Sequence, residues 1–449
     1  DRLYEETYRP QFHFTAKENW LNDPNGLVYY DGEYHLFFQH NPEGINWGNM
    51  TWGHAVSPDL MHWTQRKHAI YPDEFGTIFS GSAVIDTENT SGFQTGCHPP
   101  LVCVFTYAGR FGVPERPYTQ AIAYSTDRGR TFTKHHGNPV LDNLGPENRD
   151  PKVFWHAPTE TWVMVLYAGP RGDFVILGSP DLKHWERLSD FTFPDGHECP
   201  ELFELSIDGD PDNTRWVFWE AGGRYFIGQF DGVEFAPESE VLPSEWGRNC
   251  YAGQTWNNVP DGRRIFIAWM NGGSYPGMPF NQQMTFPRVL TLSSTPEGPR
   301  LYAYPIAEIA AIREPRGQWS GDILEPGMNP LAQLEGELWD IEAALRPGGE
   351  ARLVLDVRGT PIVYDASAAV LSCMGRSADV PLEDGALALR VLIDRTSIEI
   401  FANGGRVVMS FCFLPDLLNK TLSLTTEGDS VAIDLLGVWE VRSTWPETL

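Results

Sequence analysis

Ser57-Pro58-Asp59-Leu60-Met61-His62-Trp63 is a tight-turn signal that leads to an aromatic residue, and its pattern returns three times along the chain. Ser125-Thr126-Asp127 leads to Phe132, Ser179-Pro180-Asp181 to Trp185, and Gly228-Gln229-Phe230-Asp231 to Phe235. The four aspartates stand about 68, 54 and 50 residues apart. A strand, an Asp turn and a strand ending in an aromatic, repeated at that period, describes successive four-stranded propeller blades. Four copies plus an atypical region over residues 251–292 predict five blades. Chance similarity among Asp-containing turns is the competing explanation.

The sequence around these turns supports an all-β fold. Short runs rich in Val, Ile, Phe, Tyr and Trp recur between Gly, Pro, Asn and Asp turns, at residues 26–38, 83–86, 101–107, 161–167, 215–220 and 264–269. Residues 305–313 form the clearest short helical candidate, closed by Pro315. Beyond Trp319 the runs at 351–357, 386–393, 397–401, 407–413 and 431–438 alternate without the blade unit, as in a β-sandwich. The expected organisation is a propeller over residues 1–304, a linker over 305–318 and a sandwich over 319–449. A chain of 449 residues suits two domains.

Composition excludes several classes of partner. With 60 acidic against 33 basic residues and a formal charge of −27, no basic stripe is available for nucleic acid, an anionic membrane surface or an anionic substrate. A neutral substrate fits. The 16 Trp and 13% aromatic content serve a large core and also suit packing on the C–H face of a sugar. No run reaches the roughly 18 apolar residues of a membrane helix. The six cysteines, at 97, 103, 199, 250, 373 and 412, have no CxxC or Cys/His zinc spacing, although Cys97 and Cys103 are close enough to pair across a turn. Neither a metal nor another cofactor is expected. A secreted, extracellular setting is expected, with a cytoplasmic one as the alternative. Oligomeric state has no signal in the sequence.

Three acidic motifs stand at the mouths of apolar strands. In Trp20-Leu21-Asn22-Asp23-Pro24-Asn25-Gly26, Asp-Pro and Asn-Gly put the Asp23 carboxylate on a tight turn. In Arg149-Asp150-Pro151-Lys152-Val153-Phe154-Trp155, Arg149 is placed to orient Asp150 and keep it ionised. In His197-Glu198-Cys199-Pro200-Glu201-Leu202-Phe203, Glu198 lies among a thiol, a proline and an aromatic, surroundings that suit a general acid. Glu201 is its rival. An Asx turn, a structural ion pair and a surface glutamate are the respective non-catalytic explanations. Three carboxylates on a propeller without metal-ligand spacing suit glycoside chemistry, where one acid attacks the anomeric carbon and another protonates the leaving oxygen. His13, His35, His40 and His54 read as packing or rim residues.

These motifs resemble those of glycoside hydrolase family 32, the invertase, inulinase and levanase family. The stretch over residues 20–26 is similar to its nucleophile box, with Leu21 where Met is commoner. Arg149-Asp150-Pro151 resembles the RDP box, Glu198-Cys199-Pro200 the EC box and Phe79-Ser80-Gly81-Ser82 the FSGS box. Asp394, Arg395, Ser397, Glu399 and Phe401 resemble the family's sandwich motif. The resemblance implies a five-bladed propeller followed by a β-sandwich, and a retaining β-fructofuranosidase acting on sucrose, inulin or levan. It implies Asp23 as nucleophile, Glu198 as acid/base and Asp150 as stabiliser of the transition state through fructose hydroxyls. Asn22, Gln39, Trp47, Phe79, Ser80, Arg149 and, more distantly, Tyr251 and Trp269 would line the fructose subsite. Fructosyl transfer from the same intermediate, a non-catalytic fructan-binding protein and the related arabinan-cleaving class are the alternatives.

Overall fold

The computed structural model describes residues 2–446. Five antiparallel blades form the propeller, each entered through its inner strand, and the fourth and fifth are bridged at Ile207 and Leu292. The first blade runs Asn19–Tyr30, Glu33–Asn41, Thr51–Ser57 and Thr64–Gln65, and the second Thr77–Ile85, Leu101–Ala108, Thr119–Ser125 and Thr133–Lys134. The third runs Arg149–His156, Thr161–Gly169, Asp173–Ser179 and Glu186–Thr192, and the fourth Glu201–Ile207, Asp210–Trp219, Arg224–Phe230 and Phe235–Pro237. Tyr251–Thr255, Arg264–Trp269, Arg288–Ser293 and Arg300–Pro305 make the fifth. Phe280–Asn281, an insertion in this last blade, pairs in parallel with Asn19 and Trp20 and closes the ring onto the first.

Burial follows from this arrangement. Each blade is covered on both faces by its neighbours, so a middle strand such as Leu101–Ala108 is buried at every residue and reads as one apolar run. The outermost Glu186–Thr192 is largely open to water.

The Asp turns all fall between the third and fourth strands of their blades. Asp59 accepts backbone N–H bonds from Met61 and His62 at 3.0 and 2.8 Å, and Asp181 from Lys183 and His184, both at 2.9 Å. Asp127 and Asp231 do the same for Arg130 and Thr131 and for Val233 and Glu234. The residue after each aspartate has positive φ: Leu60 at 68°, Arg128 at 59°, Leu182 at 65° and Gly232 at 97°. The repeat is one turn geometry used four times, and the carboxylate holds a backbone that leucine alone disfavours.

The segment expected as a linker over 305–318 is mostly structured. Ala307–Ile312 is a 3-10 helix, whose three-residue turn stacks Ile309 and Ile312 on one buried face. Pro315 does not close it. The strand Arg313–Trp319 begins at once and pairs with Val431–Val441 at the edge of the sandwich, with a register shift between Pro315 and Gly317. An edge strand with an irregularity tolerates a missing N–H. The sandwich packs this seven-stranded sheet, whose remaining strands include Trp339–Pro347, Leu387–Asp394, Ser397–Ala402 and Val407–Cys412, on a five-stranded one. All six cysteines are free; Cys103 is buried within Leu101–Ala108 while Cys97 is exposed on the preceding loop.

A buried charge network joins the two domains. The His13 ring lies 2.8 Å from Asp394 and 2.5 Å from Glu399, and the Arg288 guanidinium is 2.5 Å from Glu399. Asp394 also accepts the backbone N–H groups of Gln11 and Phe12, at 2.7 and 2.9 Å. Burial acts against a charged His13, but the two carboxylates prevail and raise its pKa to about 9. Burial likewise works against ionised Asp394 and Glu399, and His13, with Arg288 for Glu399, holds both below the usual carboxylate range. The raised imidazole contributes fully below its ordinary 6.5 and is lost as pH rises through about 9; the carboxylates contribute above their ordinary range and are lost in acid. Glu399→Ala leaves the buried His13 ring only Asp394 and the buried Arg288 only the longer pair to Glu245 at 3.3 Å, an expected cost of about 3–5 kcal/mol. Thermal melts across pH check this: the gap to wild type is expected to be widest near neutrality and to narrow above pH 9 and below pH 4.

Candidate active site

The Asp23 motif is not a turn. Asp23-Pro24-Asn25-Gly26 lies inside Asn19–Tyr30, where the register with the next strand shifts between Leu21 and Pro24 and again between Asn25 and Val28. Gly26 has φ of 55°, and a Cβ there would stand 2.5 Å from the Phe37 ring, so only glycine fits. Similar irregularities mark the other inner strands near their first residues. Register shifts between Ile78 and Gly81, and Asp150, Cys199 and Ala252 take φ of 64°, 53° and 54°. Bulges and left-handed residues turn side chains that regular pleating would aim elsewhere.

The side chains so turned meet in one cavity of about 230 Å³. Its lining includes Asp23, Asp150 and Glu198 together with Asn22, Gln39, Trp47, Phe79, Ser80, Arg149, Tyr251 and Trp269. Asp23 Oδ2 accepts the Ser80 hydroxyl at 2.6 Å and faces the Cys199 thiol at 3.6 Å, while Asn22 donates to Oδ1 at 3.1 Å. Asn22 is itself held by the Trp20 indole N–H at 2.8 Å, and Gln39 donates to Asn25 at 2.8 Å. Asp150 Oδ2 accepts the Cys199 backbone N–H at 3.2 Å and lies 3.3 Å from its sulfur. The thiol is pushed well up by burial and by the surrounding carboxylates, so it stays protonated and donates.

Glu198 is held at both oxygens. Arg149 Nε donates to Oε2 at 2.6 Å and the Tyr251 hydroxyl to Oε1 at 3.0 Å. This corrects the expected role of Arg149, which stands 3.8 Å from Asp150 and spends its donors on Glu198 and, at 2.9 Å, Glu147. Asp150 is accordingly not held ionised: burial first, then the Glu198 charge, push it up to about 8 against the pull of Arg149. Asp23 rises to about 6, again through burial and then Glu198, with Ser80, Asn22 and Cys199 moderating the shift.

Aromatic rings form the rim. Trp47, 46% exposed, stands edge-on to Phe79 with ring centroids 6.1 Å apart, and Trp269 meets Tyr251 and Trp20 in the same manner at 6.2 and 6.0 Å. Glu201 lies outside the cavity, paired with Lys152 at 2.8 Å. His35, His40 and His54 are buried, and burial lowers the pKa of each, so they pack as neutral rings.

Arg110, Tyr118 and Glu147 also line the cavity and were not anticipated. Glu147 lies in the turn just before the strand Arg149–His156, where strand alternation gives no signal for it. Arg110 and Tyr118 come from the connection after Leu101–Ala108, where no local pattern points to a site.

Residues 13–305 match the profile of the Glycosyl hydrolases family 32 N-terminal domain, and residues 308–440 that of the Glycosyl hydrolases family 32 C terminal. The chain is 40% identical to a levanase of Bacillus subtilis (strain 168), over 99% of its own length and 72% of the levanase. It is 31% identical to an extracellular exo-inulinase of Aspergillus awamori, over 98% and 96% of the two chains. The crystal structure of exo-inulinase from Aspergillus awamori superposes with a TM-score of 0.90 at 29% identity, covering 98% of this chain and all of that one. A β-fructofuranosidase from Schwanniomyces occidentalis complexed with fructosyl-erythritol gives 0.84 at 26% identity, over 98% and 99% of the chains. With both domains matched, in order and almost end to end, the chain belongs to glycoside hydrolase family 32 and is a glycosidase.

Proposed function

We propose that the protein is a retaining β-fructofuranosidase that removes fructose from the non-reducing end of levan or inulin and from sucrose. The observation that carries this reading is the meeting of Asp23, Asp150 and Glu198 in one cavity, each carboxylate held by hydrogen-bond donors. At about 230 Å³ the cavity lies below the roughly 300–1,000 Å³ of sites for larger ligands, a size suited to one terminal sugar ring.

In this mechanism Asp23 attacks the anomeric carbon and forms a covalent fructosyl-enzyme, while Glu198 protonates the departing oxygen. Glu198 then takes a proton from the incoming water, whose oxygen displaces Asp23. Arg149 and Tyr251 fix the Glu198 carboxyl throughout. Asp150, raised by burial and by the Glu198 charge, can donate to as well as accept from fructose hydroxyls. Ser80, Asn22 and Cys199 share the Asp23 charge before attack. A secreted setting accords with the extracellular exo-inulinase among the relatives.

Chromatography of products from sucrose, inulin and levan tests the reading, with free fructose expected from all three and glucose in addition from sucrose. Oligofructosides or a difructose anhydride as main products would make the protein a transferase. Glu198→Gln is expected to lower fructose release about 10²–10⁴-fold. Unchanged turnover in that variant would remove Glu198 from its role and favour another acid.

The ionisation of Asp23 sets a second expectation. A nucleophile raised to about 6 is lost as pH falls through that value, which places the acid limb of kcat/KM near pH 6. Ser80→Ala removes a donor that favours the charged form, so the limb is expected to move about one unit upward. A pH–rate profile in which the limb stays in place would show that another group controls it.

A further inference from the structure

A larger cavity, about 490 Å³, opens at the other end of the same inner strands. Val84 and Ile85 at the end of Thr77–Ile85, Trp155 near the end of Arg149–His156, and Asn257 just after Tyr251–Thr255 lie around it. Asp150 and Trp155 share one strand, five residues or roughly 17 Å apart, so this is the opposite mouth of the propeller from the carboxylates.

The lining of this mouth is that of a sugar site. Trp155 is 40% exposed, an uncommon state for so large an apolar ring, and is braced edge-on by Trp162 at 5.0 Å. Trp162 is fixed in turn by its indole N–H bond to Thr90 at 2.9 Å. Trp216 is a second, half-buried ring, set against Phe154 at 5.6 Å. Neither the Trp155 nor the Trp216 indole N–H has a hydrogen-bond partner among the described residues. Rigid aromatic platforms with free N–H groups suit ligands that alternate C–H faces with hydroxyls.

The charges point the same way. Asp86 is saturated by the backbone N–H and hydroxyl groups of Thr90 and Ser91. Arg263 is taken up by Asp261 and Glu308. Glu204 accepts the Thr214 hydroxyl, and Arg264 donates to the Thr255 hydroxyl at 3.3 Å and lies over the Phe203 ring, which leaves Glu88 to offer a ligand an acceptor. Three carboxylates against two guanidinium groups give no excess of positive charge for an anion.

We propose that this mouth is a second carbohydrate-binding site, distinct from the catalytic cavity, which holds a stretch of the polysaccharide substrate by stacking on Trp155 and Trp216. The proposal rests on the fructan reading above. A chain end in the catalytic cavity and another stretch of polymer at the opposite mouth would keep the enzyme at a high effective concentration of chain ends.

The test uses the full chain carrying Glu198→Gln, so that polymer survives. Retention on immobilised levan and on immobilised inulin is measured with free fructose at a concentration that saturates the catalytic cavity. Fructose-resistant retention on at least one polymer is expected, about tenfold weaker after Trp155→Ala and preserved in Trp155→Phe, which keeps a ring. As a check that needs no truncation, soluble fructan oligosaccharide is expected to protect Trp155 from N-bromosuccinimide in the presence of the same fructose. Absence of fructose-resistant retention, or equal retention in Trp155→Ala together with no protection, would overturn the second site. Fructan turnover by the wild-type chain is assayed separately: its absence would sink the functional reading, whereas its presence without fructose-resistant retention would sink only this proposal.

Discussion

Apart from short parallel bridges at Asn19–Trp20, Val28 and Ile207, the inner strand of each blade has a sheet neighbour on one side only, and the propeller depends on how its other edge is satisfied. Backbone N–H and C=O groups turned toward the axis cannot be left bare in a closed ring. Polar side chains do the pairing. Asn257 donates to Ala83 O at 2.8 Å and Val153 O at 3.1 Å, tying the second and third blades to the fifth. Lys152 donates to Thr255 O at 2.9 Å while paired with Glu201, and Glu201 accepts from both the N–H and the hydroxyl of Thr255. Ser82 donates to Pro151 O and accepts from Val153 N–H. Removing one partner of the Lys152–Glu201 pair would leave a charge stranded where both side chains are almost sealed from water.

That edge also explains the prolines. Pro24, Pro151 and Pro200 follow closely on Asp23, Asp150 and Glu198. Proline has no N–H to satisfy and is tolerated on an unpaired edge, so the residue that best suits the axis also stiffens the backbone beside each carboxylate. The left-handed conformations of Asp150 and Cys199 are strain of order 1–2 kcal/mol each, held by the surrounding ring. Cys199 shows the result. Its backbone N–H meets Asp150, and its thiol lies between Asp150 and Asp23, so one kinked residue couples two blades at the point of chemistry.

Much of this was legible in the sequence, for reasons that particular residues make plain. Asp59, Asp127, Asp181 and Asp231 announce the blades because an Asx turn is decided within a few residues. Local rules failed where a distant partner decides. Asp23-Pro24-Asn25-Gly26 reads as a turn, but pairing with Glu33–Asn41 makes it a bulged strand, and Pro315 reads as a stop until Val431–Val441 lies beside it. Arg149 looks like the partner of its neighbour Asp150, yet it reaches Glu198, 49 residues on. Arg110 and Tyr118 carry no local mark at all, because a connection between strands contributes them only after the ring has closed.

The ionisation of the three-carboxylate cluster follows from the same geometry. Three carboxylates with Arg149 as the cation in contact cannot all be charged in a partly dewatered cavity, and mutual repulsion adds to burial in raising Asp23 to about 6 and Asp150 to about 8. Near neutral pH the cluster therefore retains a proton, and the protons belong to the coupled group rather than to any one acid. Donors are distributed unevenly around it: Ser80, Asn22 and Cys199 favour negative charge on Asp23, the acid proposed to attack. Asp150 receives the Cys199 backbone N–H and thiol but sees Arg149 only at 3.8 Å, so it is the acid on which a proton is least costly at rest. In the proposed reaction a neutral sugar that meets Asp150 with its hydroxyls changes that balance without bringing any charge of its own. On that reading a chain with a formal charge of −27 can concentrate three acids in one cavity and still admit a neutral substrate there.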